Sequence, residues 1–206
     1  MNVKICGLQT LEDVKCVNAT KPDYAGFILS ESKRRIDVST AVELKKHLSK
    51  DILAVGVFVN EPTSFIIEAI NRGAIDIVQL HGSESQECID EIKNKTNVPI
   101  IKAIPVRTRE DILLGDRLEC DFLLLDTYSK SVAGGCGKVF DWSLIPGKLR
   151  HPYFLAGGLC LGNVELALKT GAFAVDVSSG VETDGVKDDR KISEFVHYIK
   201  GKDLKQ

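Results

Sequence analysis

Eight short apolar runs punctuate the chain, and most end in a small or chemically able residue. They are Val3-Lys4-Ile5-Cys6-Gly7, Ala25-Gly26-Phe27-Ile28-Leu29-Ser30, Val55-Gly56-Val57-Phe58-Val59-Asn60, Ile77-Val78-Gln79-Leu80-His81-Gly82, Ile100-Ile101-Lys102-Ala103-Ile104, Phe122-Leu123-Leu124-Leu125-Asp126, Phe154-Leu155-Ala156-Gly157-Gly158 and Ala174-Val175-Asp176-Val177-Ser178-Ser179-Gly180. Near-continuous apolar runs are what a parallel strand buried on both faces looks like. If such strands alternate with helices, their C-terminal ends all point the same way. Cys6, Asn60, His81, Asp126 and two glycine-serine loops then meet at one mouth, which in a (β/α)8 barrel is where chemistry takes place.

Helical periodicity fills the gaps between the runs. Leu11, Val14 and Val17 mark one helix, with Thr10 as its N-cap; Ala41, Leu44 and Leu48 mark a second, after Ser39-Thr40. Phe65, Ile66, Ala69 and Ile70 give a third from Pro62-Thr63, and Ser85 opens a fourth containing Cys88, Ile89 and Ile92. Val164, Ala167 and Leu168 form another, and Ile192, Phe195, Val196 and Ile199 a strong last one. The spacing and the start signals carry these assignments. The segments around Asp111–Leu114 and after Trp142 are short, which lets 206 residues hold eight units where about 250 are usual. The expectation is a single-domain α/β chain, 1–206, folded as a compact (β/α)8 TIM barrel with short helices after strands 5 and 6. An open doubly wound sheet is the alternative, disfavoured because no Gly-x-Gly-x-x-Gly follows the first run.

A net charge of -2 gives no electrostatic case for nucleic acid or membrane binding. No apolar stretch reaches the ~18 residues of a membrane span, and the first run begins almost at Met1, so a cytoplasmic location is expected. Six cysteines (Cys6, Cys16, Cys88, Cys120, Cys136 and Cys160) are read as free thiols rather than staples, because nothing marks an oxidising compartment. None has zinc-like spacing, and no metal site is expected.

The late glycine loops, Gly157-Gly158 and Ser178-Ser179-Gly180, sit where many barrels hold a phosphate on backbone amides. Gly134-Gly135-Cys136-Gly137-Lys138 lacks P-loop spacing, since Val139 follows the lysine, and reads instead as a mobile flap after the sixth strand. Cys6 and Asp126 stand three strand steps apart around a ring of eight, facing one ligand from two directions. A thiolate opposite a carboxylic acid suits an isomerase, one taking a proton while the other gives one. Without tuning, that pair of protonation states costs roughly 6 kcal/mol near neutrality. A packed thiol and a helix-capping Asp fit the spacing equally well. Arg34, in Ser32-Lys33-Arg34-Arg35, offers a fork of donors for a carboxylate or phosphate, or is simply solvated. His81, after Gln79-Leu80, is placed to orient a hydroxyl.

Taken together, these blocks resemble the phosphoribosylanthranilate isomerase family of tryptophan biosynthesis. Lys4-Ile5-Cys6-Gly7, Gly26-Phe27, Ser32-Lys33-Arg34, Val55-Gly56-Val57-Phe58, Val78-Gln79-Leu80-His81-Gly82 and Leu124-Leu125-Asp126 carry the likeness. So do Gly134 to Trp142, Ala156-Gly157-Gly158-Leu159, Val175 to Glu182 and Gly185-Val186-Lys187-Asp188, in family order. The resemblance implies a cofactor-free Amadori rearrangement of N-(5-phosphoribosyl)anthranilate to 1-(2-carboxyphenylamino)-1-deoxyribulose 5-phosphate. It implies Asp126 as general acid on the furanose oxygen and Cys6 as general base at C2. Arg34 would hold the anthranilate carboxylate. Backbone around Gly157, Gly158, Ser178, Ser179 and Gly180 would hold the phosphate, and Gln79, His81 and Asp176 would line the sugar. The implied partner is a small phosphosugar, with the protein a monomer or homodimer. Departures are Ser30-Glu31 and Arg35 around the arginine loop, Ala156 where serine is common, and Cys136 where Thr or Ser is usual. Two other readings remain beside it: a dual-substrate phosphoribosyl isomerase, whose first strand ends in Asp, and a catalytically silent phosphate-binding barrel.

Overall fold

The computed structural model describes residues 1–127 and 137–203. Eight parallel strands close into a barrel in chain order: β1 (Asn2–Cys6), β2 (Tyr24–Ile28), β3 (Leu53–Phe58), β4 (Ile77–Leu80), β5 (Ile100–Val106), β6 (Phe122–Thr127), β7 (Tyr153–Leu155) and β8 (Ala174–Val177). Closure runs through β1, whose Lys4 pairs with Tyr24 on one side and Asp176 on the other. The open-sheet alternative is thereby removed. The expected Gly134-Gly135-Cys136 flap lies outside the described residues.

Among the described residues, seven α-helices wrap the barrel: α1 (Leu11–Thr20), α2 (Val38–His47), α3 (Thr63–Asn71), α4 (Gln86–Lys95), α5 (Arg109–Gly115), α6 (Val164–Leu168) and α7 (Asp189–Asp203). Their starts follow local chemistry. Thr10 accepts from the Asp13 amide while the Asp13 carboxylate returns to the Thr10 amide, a reciprocal cap repeated at Thr108 and Asp111. α2 begins before the Ser39-Thr40 signal because the Asp37 carboxylate takes the Thr40 amide proton at 2.7 Å and caps the helix earlier. The units after β5 and β6 are indeed short, a seven-residue helix and a single 3-10 turn at Trp142–Leu144.

Strand alternation then decides which side chains enter the barrel. Val3, Ile5, Val175 and Val177 turn outward into the layer beneath the helices, a core that includes Phe27, Phe58, Ile192 and Phe195. Tyr24, Val55, Ile77, Ile101, Leu124, Phe154 and Ala174 turn inward and fill the barrel's lower end. There Tyr24 and Phe154 meet edge-on at 5.2 Å, with Phe122 and Phe173 stacked beside them. Two residues further along β4, β6 and β8, the same inward parity delivers polar groups: Gln79 above Ile77, Asp126 above Leu124, Asp176 above Ala174. The interior is therefore an apolar plug below and a reactive floor above. A short hairpin, β9 (Glu182–Thr183) with β10 (Val186–Lys187), extends from β8 over the same end.

Candidate active site

At the C-terminal mouth lies a cavity of about 350 Å³, the size of a small-ligand site. Cys6, Arg34, Gln79, His81, Asp126, Gly157, Gly158, Asp176, Ser178 and Ser179 all line it, as do Glu31, Ser32 and Ala156. Of the expected site residues only Gly180 is missing. Its α-carbon backs onto the Leu159 carbonyl, where a side chain would have no room.

Asp126 ends β6. Its Oδ1 accepts the Thr127 amide proton at 2.7 Å, and its Oδ2 lies 3.1 Å from His81 Nε2; His81 Nδ1 lies 2.7 Å from Gln79 Nε2. Gly157, at φ +82°, lies against this group: a Cβ there would come within 2.6 Å of Asp126 Oδ1 and 2.5 Å of the Thr127 nitrogen. Gly157→Ala is accordingly expected to displace the carboxylate and strain the backbone. Kinetics should show kcat lower by about tenfold or more, with a lower thermal midpoint.

Gly157 and Gly158 both have positive φ, and among the described residues no backbone carbonyl accepts from their amides. Successive free amides in such a turn form an anion-binding concavity. The carbonyls of Gly137 and Lys138 close against Gly158, so the end of the Gly-rich segment does reach the mouth.

Cys6 ends β1, only 7% exposed, beside Gly26 on β2, where a Cβ would sit 2.8 Å from its sulfur. Burial pushes the thiol above its ordinary range; Lys4 pulls it down, Asp176 adds to the rise, and Lys187 opposes it. Lys4 is wholly buried and gives its ammonium to both Asp176 oxygens at 3.0 Å. Burial alone would lower its affinity for a proton, but Asp176 and Cys6 together outweigh burial and keep Lys4 charged. Asp176 thus lines the cavity while its carboxylate is held from beneath.

Arg34 is not a solvated surface charge. Its Nε and Nη2 grip Glu182 at 2.7 and 2.9 Å, and Lys187 joins Glu182 at 2.7 Å. Burial would raise the Glu182 carboxyl, but the Arg34 and Lys187 bonds outweigh it and hold the group below the usual carboxylate range. Because the folded state favours the ionised form, this stabilisation is present above a pH of about 4 and lost as pH falls below it. Denaturant midpoints measured against pH should decline less steeply on the acid side for Glu182→Gln than for wild type.

Lys4, Glu182 and Lys187 have site roles that the sequence reading did not assign. Lys4 carried a usable signal: a lysine inside an apolar strand, two residues before Cys6, must share its inward face. Glu182 and Lys187 carried none beyond proximity to β8. Cys160 also departs from expectation, being half of a disulfide, whereas Cys6, Cys16, Cys88 and Cys120 are free. Among the described residues no three His, Cys, Asp or Glu side chains form a metal-holding group.

Comparison with known proteins gives a consistent picture. Residues 3–198 match the sequence model of N-(5'phosphoribosyl)anthranilate (PRA) isomerase. The N-(5'-phosphoribosyl)anthranilate isomerase of Endomicrobium trichonymphae is 45% identical over 199 residues, covering 96% of this chain and 98% of that protein. The crystal structure of phosphoribosyl anthranilate isomerase from Thermotoga maritima superposes with a TM-score of 0.86 at 36% identity, covering 98% of this chain and 99% of that one. A structure of such an isomerase in complex with reduced 1-(o-carboxyphenylamino)-1-deoxyribulose 5-phosphate aligns at a TM-score of 0.82 and 33% identity, with 98% and 99% covered.

Proposed function

The chain belongs to the phosphoribosylanthranilate isomerase family, and from that premise we propose how its own residues carry out the family reaction. The protein is an isomerase of tryptophan biosynthesis that converts N-(5'-phosphoribosyl)anthranilate to 1-(2-carboxyphenylamino)-1-deoxyribulose 5-phosphate. One observation carries the residue assignment: a carboxyl from β6 and a thiol from β1 line one cavity whose rim, after β7, carries two glycine amides that no backbone carbonyl among the described residues takes.

In this reading the phosphate anchors on the backbone around Gly157, Gly158, Ser178 and Ser179. Asp126 gives its proton to the furanose oxygen. The C1–O bond breaks, its electron pair stays on that oxygen, and the nitrogen lone pair forms an iminium. Cys6, as thiolate, then removes the C2 proton; the electrons form the C1–C2 double bond and neutralise the nitrogen. The resulting enolamine tautomerises to the ketone. Gln79 and His81 face the sugar hydroxyls. Arg34, already oriented by Glu182 through two donors, keeps its remaining donors for the anthranilate carboxylate.

The enzyme acts on a small phosphosugar in the cytoplasm, as a monomer or homodimer. A near-neutral charge balance supports the absence of a nucleic-acid partner, and no helix among the described residues is long and apolar enough to cross a membrane. One relative in Thermotoga maritima is described as dimeric. The decisive experiment supplies phosphoribosylanthranilate to the purified protein and follows loss of its fluorescence without added nucleotide or metal. First-order consumption supports the reading, and an unchanged signal overturns it.

A further inference from the structure

The chain Gln79–His81–Asp126 holds more information than hydroxyl contacts require. A neutral imidazole has one N–H and one bare nitrogen, so its two ring positions always play opposite roles. An amide likewise has a donor end and an acceptor end. Connected in series, the orientation of the amide dictates the imidazole tautomer, and the tautomer dictates what its far nitrogen offers Asp126.

Gln79 is 1% exposed, with its Nε2 on His81 Nδ1 at 2.7 Å. In that arrangement Nδ1 accepts, the ring proton is on Nε2, and Nε2 donates to Asp126 Oδ2. With the Thr127 amide on Oδ1, each carboxylate oxygen then receives a donor. Those are the surroundings of an ionised Asp126, the state after a proton has been given away. The same arrangement leaves Gln79 Oε1 buried and, among the described residues, without a partner. A buried acceptor with no donor is an unmet hydrogen bond. Turning the amide over exchanges two atoms of nearly equal size and places Oε1 on Nδ1. The ring proton then belongs on Nδ1, and bare Nε2 is satisfied only by a proton on Asp126 Oδ2.

We propose that Gln79 is a positioning residue whose amide orientation selects the His81 tautomer, and thereby selects whether Asp126 is held as carboxylate or as acid. The inference rests on Asp126 being the general acid. In the free protein the amide nitrogen faces His81, and both Asp126 oxygens face donors. A ligand oxygen in the cavity that accepts from Gln79 favours the turned amide, the Nδ1–H tautomer and the protonated acid. The turned state holds one proton more than the free one: the imidazole exchanges its Nε2 proton for one on Nδ1, and Asp126 takes up a proton from water at the open mouth, so no further co-reactant is needed. An orphaned atom is what permits the turn, because an amide satisfied at both ends would be locked.

The test combines tautomer spectroscopy with kinetics. Nitrogen-15 shifts of His81 should report Nε2–H in the free wild type and Nδ1–H in Gln79→Glu, whose carboxylate can only accept from Nδ1. Gln79→Leu should lose about tenfold or more in kcat with KM changed by less than about threefold, and Gln79→Glu should recover part of that loss. The same His81 tautomer in wild type and Gln79→Glu overturns the proposal, as does a Gln79→Leu defect confined to KM. The two levels of the argument separate cleanly. An active Asp126→Asn enzyme would remove the general-acid assignment and this proposal with it. An inactive Asp126→Asn enzyme beside unaltered Gln79 variants would remove this proposal alone.

Discussion

Asp126→Asn is expected to lower kcat by about 10²–10⁴-fold, the usual contribution of a positioned proton donor, while the barrel stays folded. The substitution keeps nearly the same shape. Its amide oxygen still accepts the Thr127 amide proton, and its nitrogen donates to His81 Nε2 once the ring proton sits on Nδ1 and the Gln79 amide is turned over, so the local scaffold survives. What is lost is the proton itself. The furanose oxygen must then leave as an alkoxide or wait for water, and the ring-opening step slows. Because Asn fills the same place, KM should change by less than about threefold, separating this effect from a disturbed pocket. Steady-state fluorescence gives both constants, and a thermal melt matching wild type shows that the loss is chemical. Turnover at the wild-type rate would take the general-acid role away from Asp126.

Much of the architecture was legible because barrel strands are local objects. Each apolar run from Val3 to Val177 declared itself, and capping residues such as Thr10 and Ser85 marked the helices between. Strand ends then placed Cys6 and Asp126 at one mouth without any distance measurement, since parallel strands share a direction. Less legible was whatever depends on which residues face each other across the closed ring. Asp176 was expected to face the sugar, and it does line the cavity, yet both its oxygens are taken up by Lys4, 172 positions earlier in the chain. Arg34 was read as a free fork, but two of its donors belong to Glu182, 148 positions away. Pairings like these arise only on closure of β1 against β8. Parity along a strand offered a partial remedy: a lysine two residues before Cys6 has to lie beneath it, and Gln79 beneath His81 for the same reason.

Cys6→Ala should be as damaging as loss of the acid, lowering kcat by about 10²–10⁴-fold, since no other group on β1 or β2 that lines the cavity can take the C2 proton. The more informative companion is Lys4→Met. In the wild type, burial pushes the Cys6 thiol up, so only a minority is thiolate near neutral pH, and Lys4 is the largest influence in the other direction. Without the ammonium, burial and Asp176 act unopposed except by Lys187, and the thiol rises further. A base that must be ionised to work loses activity as pH falls through its pKa. The acid-side limb of kcat/KM should therefore move to higher pH in Lys4→Met, and alkylation of Cys6, located by peptide mass, should need higher pH as well. Removing the lysine also leaves a buried Asp176 charge unpaired, at a cost of about 3–5 kcal/mol in stability. A second variant, Lys4→Met with Asp176→Asn, removes that unpaired charge. It should regain stability yet keep part of the alkylation shift, because Lys4 influences Cys6 more than Asp176 does. If the double variant folds and its Cys6 reacts with the wild-type pH dependence, the buried lysine is a packing element and not the support of the base.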